Sequence, residues 1–208
     1  MGQSQVHMNR QRLSDRRGYS LIEIMVVVGI TSVVAVIAVP MMANTLGFFR
    51  LSGDARSVSN AVAVAKMRAA SDFSRVRLYV DLSTNSHHIE SWDKVNSKWV
   101  VEGGPTYLSN NVVFGFGVVS APPPNTQAAI GQAPKCTDDT GADIGNTACF
   151  MFNSRGVPVG PAPGFSPVAE DALYLTDGSA VYAVTAAATG MIRLWRTLPT
   201  VTPIWVLN

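Results

Sequence analysis

The most pronounced hydrophobic pattern in the chain is an apolar run near its N-terminus. No charged residue occurs from Ile24 to Phe49, which is a run of 26 positions. A helix needs about 20 apolar residues to cross the hydrocarbon core of a bilayer. The run therefore predicts a membrane-spanning helix over residues 19–49.

Beyond Arg50 the apolar residues continue at alternating spacings of four and three positions. That spacing places them on one face of a helix, and polar or charged residues fill the other faces. We predict that the helix continues as an amphipathic segment over residues 50–72 and that its apolar stripe packs on a sheet. The stripe consists of Leu51, Ala55, Val58, Val62, Ala65 and Ala69.

Residues 73–208 contain the alternating and β-branched runs that are typical of strands. We predict an antiparallel, β-sandwich-like head, so the fold class of the whole chain is α+β. Two stretches rich in proline and glycine, 121–148 and 153–168, are predicted to be surface loops. The predicted strands are 75–82, 88–92, 98–101, 111–119, 149–152, 173–175, 180–185 and 191–196, with a short apolar segment over 203–208.

Charge is sparse in the chain and unevenly distributed. Residues 1–18 carry a net charge of +3, whereas the remaining residues carry −1. A nucleic-acid-binding domain usually has a basic excess in its folded part, so nucleic acid is not an expected partner. The basic flank of the apolar run is expected to stay in the cytoplasm, with the head on the other side of the membrane.

Two other kinds of protein share a basic start and an apolar run. A secretory signal peptide is the first, but its apolar core usually spans about 7–15 residues, and residues 39–42 do not form a small-residue cleavage site. A plain single-pass anchor is the second, and Glu23 argues against it. A carboxylate inside a bilayer costs roughly 2.5–3.5 kcal/mol when central and less near the interface. Glu23 therefore requires a cationic partner, which the apolar run lacks.

The segment from Arg16 to Glu23, with the sequence RRGYSLIE, resembles the processing site of type IV prepilins and type II secretion pseudopilins. The resemblance implies that residues 1–18 are a leader peptide, which a membrane prepilin peptidase removes between Gly18 and Tyr19. It also implies N-methylation of the new terminus at Tyr19, where most family members carry phenylalanine. The Tyr19 amine of one copy then pairs with Glu23 of a neighbour, and removal of either charge leaves the other without a partner.

Pro40 lies inside the apolar run, where it removes a backbone donor and disturbs the preceding turn of a helix. Related filaments carry a proline near this position, beside a stretch that unwinds during assembly. The resemblance thus gives Pro40, like Glu23, a role in assembly. An ordinary kink in a membrane span is the alternative, and both interpretations stay open.

The order of one long helix and a β-rich head resembles the GspH/FimT group. Residues 152–156 and 190–194 are similar to strand-turn segments that recur in that group. The resemblance implies a pilin-like fold and a minor pilin or pseudopilin, which is a filament subunit and not an enzyme and needs no cofactor. Its partners would be the prepilin peptidase, other pilins and an inner-membrane assembly platform. The expected location is the inner membrane, with a periplasmic head, and later a filament.

DNA capture by a FimT-like pilin is an alternative function. It would use basic residues near the last strand, where Arg193 and Arg196 occur. Met191, however, stands where the resembling DNA-uptake motif carries arginine after Gly190. Phosphate contacts supply most non-specific affinity, and two arginines are few.

Cys136 and Cys149 enclose 12 residues, and no other cysteine occurs in the chain. A periplasmic head favours a disulfide between them, which would stabilise the fold by about 3 kcal/mol. Two free thiols are the alternative. His87 and His88 have no metal-ligand spacing with the cysteines. Because neighbours on a strand point to opposite faces, we expect both histidines to face solvent.

Overall fold

The computed structural model describes residues 18–161, 165–168 and 171–208, without the side chains of residues 39–45. Its contacts divide the chain into two units, of which the first ends at Asn44 and the second runs from Thr45 to Asn208. Among the described residues one helix is present, α1 (Leu21–Ser71), with 51 residues. Glu23 in its first turn and Arg68 in its last turn have the charges that the helix dipole favours at those ends.

The strands of the second unit form two antiparallel sheets. Within the described residues each sheet has five strands, in the orders β3-β2-β1-β5-β6 and β10-β9-β8-β7-β4. The α+β fold class and the antiparallel head are therefore confirmed. The strands are β1 (Val76–Asp81), β2 (Ser86–Asp93), β3 (Lys98–Tyr107), β4 (Val113–Phe114), β5 (Thr147–Phe152), β6 (Pro158–Val159), β7 (Asp171–Thr176), β8 (Val181–Ala186), β9 (Ile192–Thr197) and β10 (Val206–Leu207).

The apolar stripe of α1 lies in one hydrophobic core with residues of both sheets. All six stripe residues are fully buried, as their spacing predicted. Leu78 of β1 and Phe150 of β5 belong to the same core, and so do the β7 and β8 side chains on the matching face. Full burial of a valine or leucine side chain contributes about 1.5–3 kcal/mol. The larger stripe residues therefore bind the helix most strongly to the head.

Strands β7 and β8 are buried along their whole length because the second sheet is covered on both faces. A second cluster around Tyr174 and Trp195 lies on the face away from α1. Residues 121–148 contribute to this cover through Ile130. Their prediction as a surface loop is wrong for the buried Ala133, which belongs to the core with α1, and for the buried Cys136 and Thr137, which contact the first sheet.

Hydrogen bonds to β7 fix segment 121–148 in place, and its sequence pattern does not predict them. The Gln132 side chain donates to the carbonyl oxygen of Tyr174 and accepts from its backbone N–H, at 3.0 and 2.9 Å. The backbone N–H of Ala133 donates to the carbonyl oxygen of Ala172 at 2.7 Å. These bonds satisfy buried polar groups without a regular strand.

Several strands extend beyond their predicted bounds, β3 by six residues to Tyr107, and two further segments differ more. In the predicted strand 111–119 only β4 pairs, with β7, and Gly117 has a φ of +56° that turns the chain away. The predicted loop 153–168 contains β6, which pairs with β5, while residues 162–164 lie outside the described residues. Pro158 is compatible with a strand there because β6 lies at the edge of its sheet, where a missing N–H costs no ladder bond.

The expectation that His87 and His88 face solvent is wrong. They do point to opposite faces of β2, but His87 is 4% exposed and its ring meets Phe114 edge-on at a centroid distance of 6.5 Å. Burial lowers the pKa of His87. His88 stacks on Tyr79 at 4.8 Å and lies 3.1 Å from the Glu90 carboxylate. Both faces of β2 are thus covered.

Candidate assembly site on the N-terminal helix

The predicted cleavage position lies directly before α1. Gly18, Tyr19 and Ser20 have no regular secondary structure and are exposed. The carbonyl oxygen of Ser20 accepts the first helical hydrogen bond, from the N–H of Ile24 at 3.2 Å. Tyr19 is 80% exposed. The geometry leaves the Gly18–Tyr19 peptide bond accessible, while residues 1–17 of the predicted leader lie outside the described residues.

Glu23 is exposed in the first turn of α1. A carboxylate at this place is favoured by the unpaired N–H groups of the helix start. Among the described residues, no basic side chain forms an ion pair with Glu23. Within residues 18–161, 165–168 and 171–208 the carboxylate is thus exposed and has no ion-pair partner, and its pairing with a neighbour's Tyr19 amine stays a prediction.

The helix that follows has the surface of a membrane span. The segment Leu21–Ala38 has a mean hydropathy of 2.6 and none of it is buried. Its few hydroxyl groups are satisfied within the helix, because Thr31 Oγ1 donates to the carbonyl oxygen of Val27 at 2.9 Å and Ser32 Oγ donates to that of Gly29 at 2.8 Å. Such internal bonds are what a lipid environment demands of polar groups.

The backbone of α1 continues as helix through position 40. The side chain of Pro40 lies outside the described residues. The choice between an unwinding point and an ordinary kink therefore stays a prediction.

Polar contacts add to the apolar stripe where α1 joins the head. Asp54 accepts hydrogen bonds from the backbone N–H and the hydroxyl of Ser109, at 2.8 and 3.1 Å. Further along α1, Lys66 Nζ donates to the carbonyl oxygen of Gly190 at 2.9 Å. Arg68 and Glu102 approach to 3.7 Å in a partly exposed ion pair, which contributes little.

Lys66 brings together the two segments that resemble recurring strand-turn pieces of the GspH/FimT group. Gly156 and Gly190 both have positive φ and both lie against the Lys66 side chain. A Cβ atom at Gly190 would come within 2.6 Å of the Gly156 carbonyl oxygen. Only glycine fits at this contact, which explains its place in the turn.

Cys136 and Cys149 are joined by a disulfide with a Cα–Cα distance of 5.0 Å. This distance lies in the usual range for such a bond. The bond ties segment 121–148 to β5, and the N–H of Cys149 also donates to the carbonyl oxygen of Pro134 at 2.8 Å. The disulfide belongs to the architecture of the head and not to the start of α1.

The two arginines of the DNA-binding alternative lie on opposite faces of β9. Arg196 is opposite Tyr182 and Arg193 is opposite Thr185. Because successive side chains in a strand point to opposite faces, residues separated by an odd step, here 196 and 193, point in opposite directions. The Arg196 guanidinium lies 4.9 Å from the ring centroid of Phe48, whereas Arg193 Nε contacts Met191 Sδ at 3.3 Å. This separation argues against a joint contact to one phosphate backbone.

Sequence reasoning missed a charged and aromatic cluster on the outer face of the first sheet. Arg77 is 2% exposed, pairs with Glu90 at 2.5 Å and donates to the Thr137 carbonyl oxygen at 2.6 Å. Burial lowers the pKa of Arg77, and Glu90 opposes that shift. The alternation of β1 could have placed Arg77 on the outer face, but only the fold shows that residues near Thr137 cover it.

Comparison with protein families supports the interpretation of the N-terminus. Residues 13–39 match the model of the prokaryotic N-terminal methylation motif. The recognition of a prepilin-type start is therefore confirmed: the chain carries the N-terminal motif of type IV pilins and pseudopilins. A comparison with curated proteins finds no significant match.

Among solved structures, the chain is similar to two structures of the minor pseudopilin EpsH from the type II secretion system of Vibrio cholerae. The first is 13% identical with a TM-score of 0.42, over 70% of this chain and 95% of that one. The second is 14% identical with a TM-score of 0.42, over 74% and 95% of the two chains. A TM-score of this size is too low for the likeness to bear on function.

Proposed function

We propose that the chain is a minor pilin or pseudopilin, a structural subunit of a filament of the type II secretion or type IV pilus machinery. The observation that carries the proposal is the methylation motif over residues 13–39, which runs into a helix whose apolar surface is bare. Glu23 stands at the start of that helix without a described ion-pair partner. A surface of this kind needs lipid or other helices around it.

The proposed path of the subunit is the one that the resemblance to prepilins implies. Prepilin peptidase cuts between Gly18 and Tyr19 and methylates Tyr19, while α1 holds the chain in the inner membrane and the head lies in the periplasm. An assembly platform then moves the subunit into the filament, where α1 exchanges lipid for neighbouring helices. The Glu23 carboxylate pairs there with the Tyr19 amine of another subunit. The chain performs no catalysis and needs no cofactor in this role.

Mass spectrometry of the protein from its native membrane tests the processing step. We expect a mature chain that begins with N-methylated Tyr19. A chain that retains residues 1–18 in cells with active prepilin peptidase would identify a plain anchored domain instead.

The assembly step is tested with Glu23→Gln, which keeps the shape of the side chain and removes its charge. We expect normal membrane insertion and about tenfold less incorporation into filaments, because the neighbour's amine loses its partner. Glu102→Gln is the control, because Glu102 has a partly exposed ion pair on the head, away from the start of the helix. Equal incorporation of both variants would contradict the pairing.

A further inference from the structure

The end of the apolar run adjoins a patch of exposed apolar residues from the C-terminal part of the head. Val206 is 61% exposed, Leu198 is 61% exposed and Ile204 is 82% exposed. Contiguous apolar patches of this kind usually mark a contact surface. We name this patch the basal surface and define it as Phe48, Phe49, Arg196, Leu198, Ile204 and Val206.

Arg196 joins the two parts of the basal surface. Its guanidinium lies over the Phe48 ring at 4.9 Å, and Phe48 in turn meets Phe49 edge-on at a centroid distance of 5.9 Å. On β10, Val206 is the direct neighbour of Arg196. Arg196, Leu198, Ile204 and Val206 also line one open groove of about 440 Å³. The patch is therefore continuous from α1 to the last strand.

The position of Phe48 and Phe49 in the sequence indicates what the basal surface meets. They end the uncharged run, and Arg50 follows at once. A basic residue directly after an apolar run is typical of the place where a span leaves the hydrocarbon for the headgroup layer. A surface in contact with Phe48 lies at the same level.

The composition of the basal surface also fits a lipid headgroup layer. Aliphatic and aromatic side chains beside arginine are the combination by which peripheral segments lie in a membrane interface. The side chains that line the groove are aliphatic or neutral except for Arg196. Arginine pairs well with phosphate because its planar N–H groups match the phosphate oxygens.

We propose that the basal surface rests on the phospholipid interface of the membrane that α1 spans. Ile204 and Val206 enter the headgroup layer, and Arg196 contacts lipid phosphate. The head is thereby held against the membrane before the subunit leaves for the filament. The proposal rests on the membrane-spanning role of α1 that is part of the proposed function.

Fluorescence quenching by lipid tests the proposal on the full chain in phosphatidylcholine–phosphatidylglycerol liposomes. A polarity-sensitive nitrobenzoxadiazole label is attached to Ile204→Cys, whose thiol reacts selectively because the native cysteines are paired. The matched control is Val95→Cys, since Val95 is 91% exposed. Val95 lies near the C-terminal end of α1, because the side chain of its neighbour Lys94 donates to the carbonyl oxygen of Phe73, which follows that end.

We expect lipids with a nitroxide near the headgroup to lower the fluorescence of the label at position 204 about twofold. The label at position 95 should keep its fluorescence. Equal and solvent-like behaviour at both positions would overturn the proposal. A blue shift of the label at position 204 that grows with the protein-to-lipid ratio, without quenching by the nitroxide, would also overturn the proposal. A second copy of the chain would then cover the surface.

Flotation of the same samples separates the two proposals. Chains that float with the liposomes but show no quenching at position 204 contradict only the basal contact. Chains that fail to float contradict the membrane-spanning role itself and the basal contact with it.

Discussion

The two ends of α1 share one type of backbone and differ in what surrounds their side chains. Leu21–Ala38 is apolar on every face except at Glu23 in its first turn, and none of it is buried. The stripe from Leu51 to Ala69 is apolar on one face and fully buried under two sheets. An all-round apolar surface suits an environment without water, whereas a stripe suits a globular core.

The difference indicates that the two ends of α1 are adapted to different surroundings. In the proposed function the first segment has to be stable in lipid and available to other helices, and its only ionisable side chain, Glu23, stands at its start. The second segment belongs to a folded head and is fixed by packing and by the contacts of Asp54 and Lys66. Substitutions should therefore act on assembly in the first segment and on head stability in the second.

The largest expected effect comes from a charge placed in the buried stripe. Val58→Asp should destabilise the head by more than about 4 kcal/mol, because a carboxylate without a partner enters a closed core. Urea unfolding in detergent, followed by tryptophan fluorescence, measures this effect. Val28→Asp on the exposed segment is the matched control and should leave the head transition unchanged. Similar shifts for both variants would remove the distinction between the two ends.

A smaller effect should appear when the pH is changed. Asp171 is 4% exposed, and burial raises its pKa to about 7. The folded head therefore holds a proton that the unfolded chain releases near its ordinary pKa. The stabilisation from Asp171 is complete below about pH 4 and is lost as the pH rises through about 7, by up to roughly 4 kcal/mol.

The contribution of Asp171 is measured as the difference between the pH profiles of the native head and Asp171→Asn. We expect the variant to gain stability relative to the native protein as the pH rises from about 4 to 7. The uncharged run Ile24–Phe49 has no group that titrates in this interval, so membrane insertion should not follow the same profile. Parallel unfolding curves across this interval would show that Asp171 is not the group responsible.

The smallest effect concerns the polar contacts of the second segment. Asp54→Ala should cost about 1.5–3 kcal/mol, because the N–H and hydroxyl of Ser109 lose a charged acceptor. Arg68→Ala removes only the exposed pair with Glu102 and should cost at most about 1 kcal/mol. Thermal unfolding of the two variants compares them directly. A larger loss for Arg68→Ala than for Asp54→Ala would reverse the assignment of the important contact.

Much of this architecture could be predicted from local patterns. The apolar run, the stripe and the motif around Gly18 are properties of neighbouring residues, and a helix turns such spacing directly into a surface. The strands β1, β2 and β5 were predicted for the same reason. Residues 111–119 and 153–168 were predicted less well, because Gly117 and Pro158 act through turns and sheet edges that depend on the neighbouring strands.

The sequence by itself determined the membrane-directed start, with Glu23 at the beginning of an uncharged helix, and the face by which α1 meets the head. Only the tertiary structure decided that His87 and Arg77 are buried, that Arg193 and Arg196 lie on opposite faces of β9, and that Arg196 joins the C-terminal strand to Phe48. The physical reason is separation along the chain. Periodicity reports contacts within a few residues, whereas burial of a strand's face depends on which distant segment covers it.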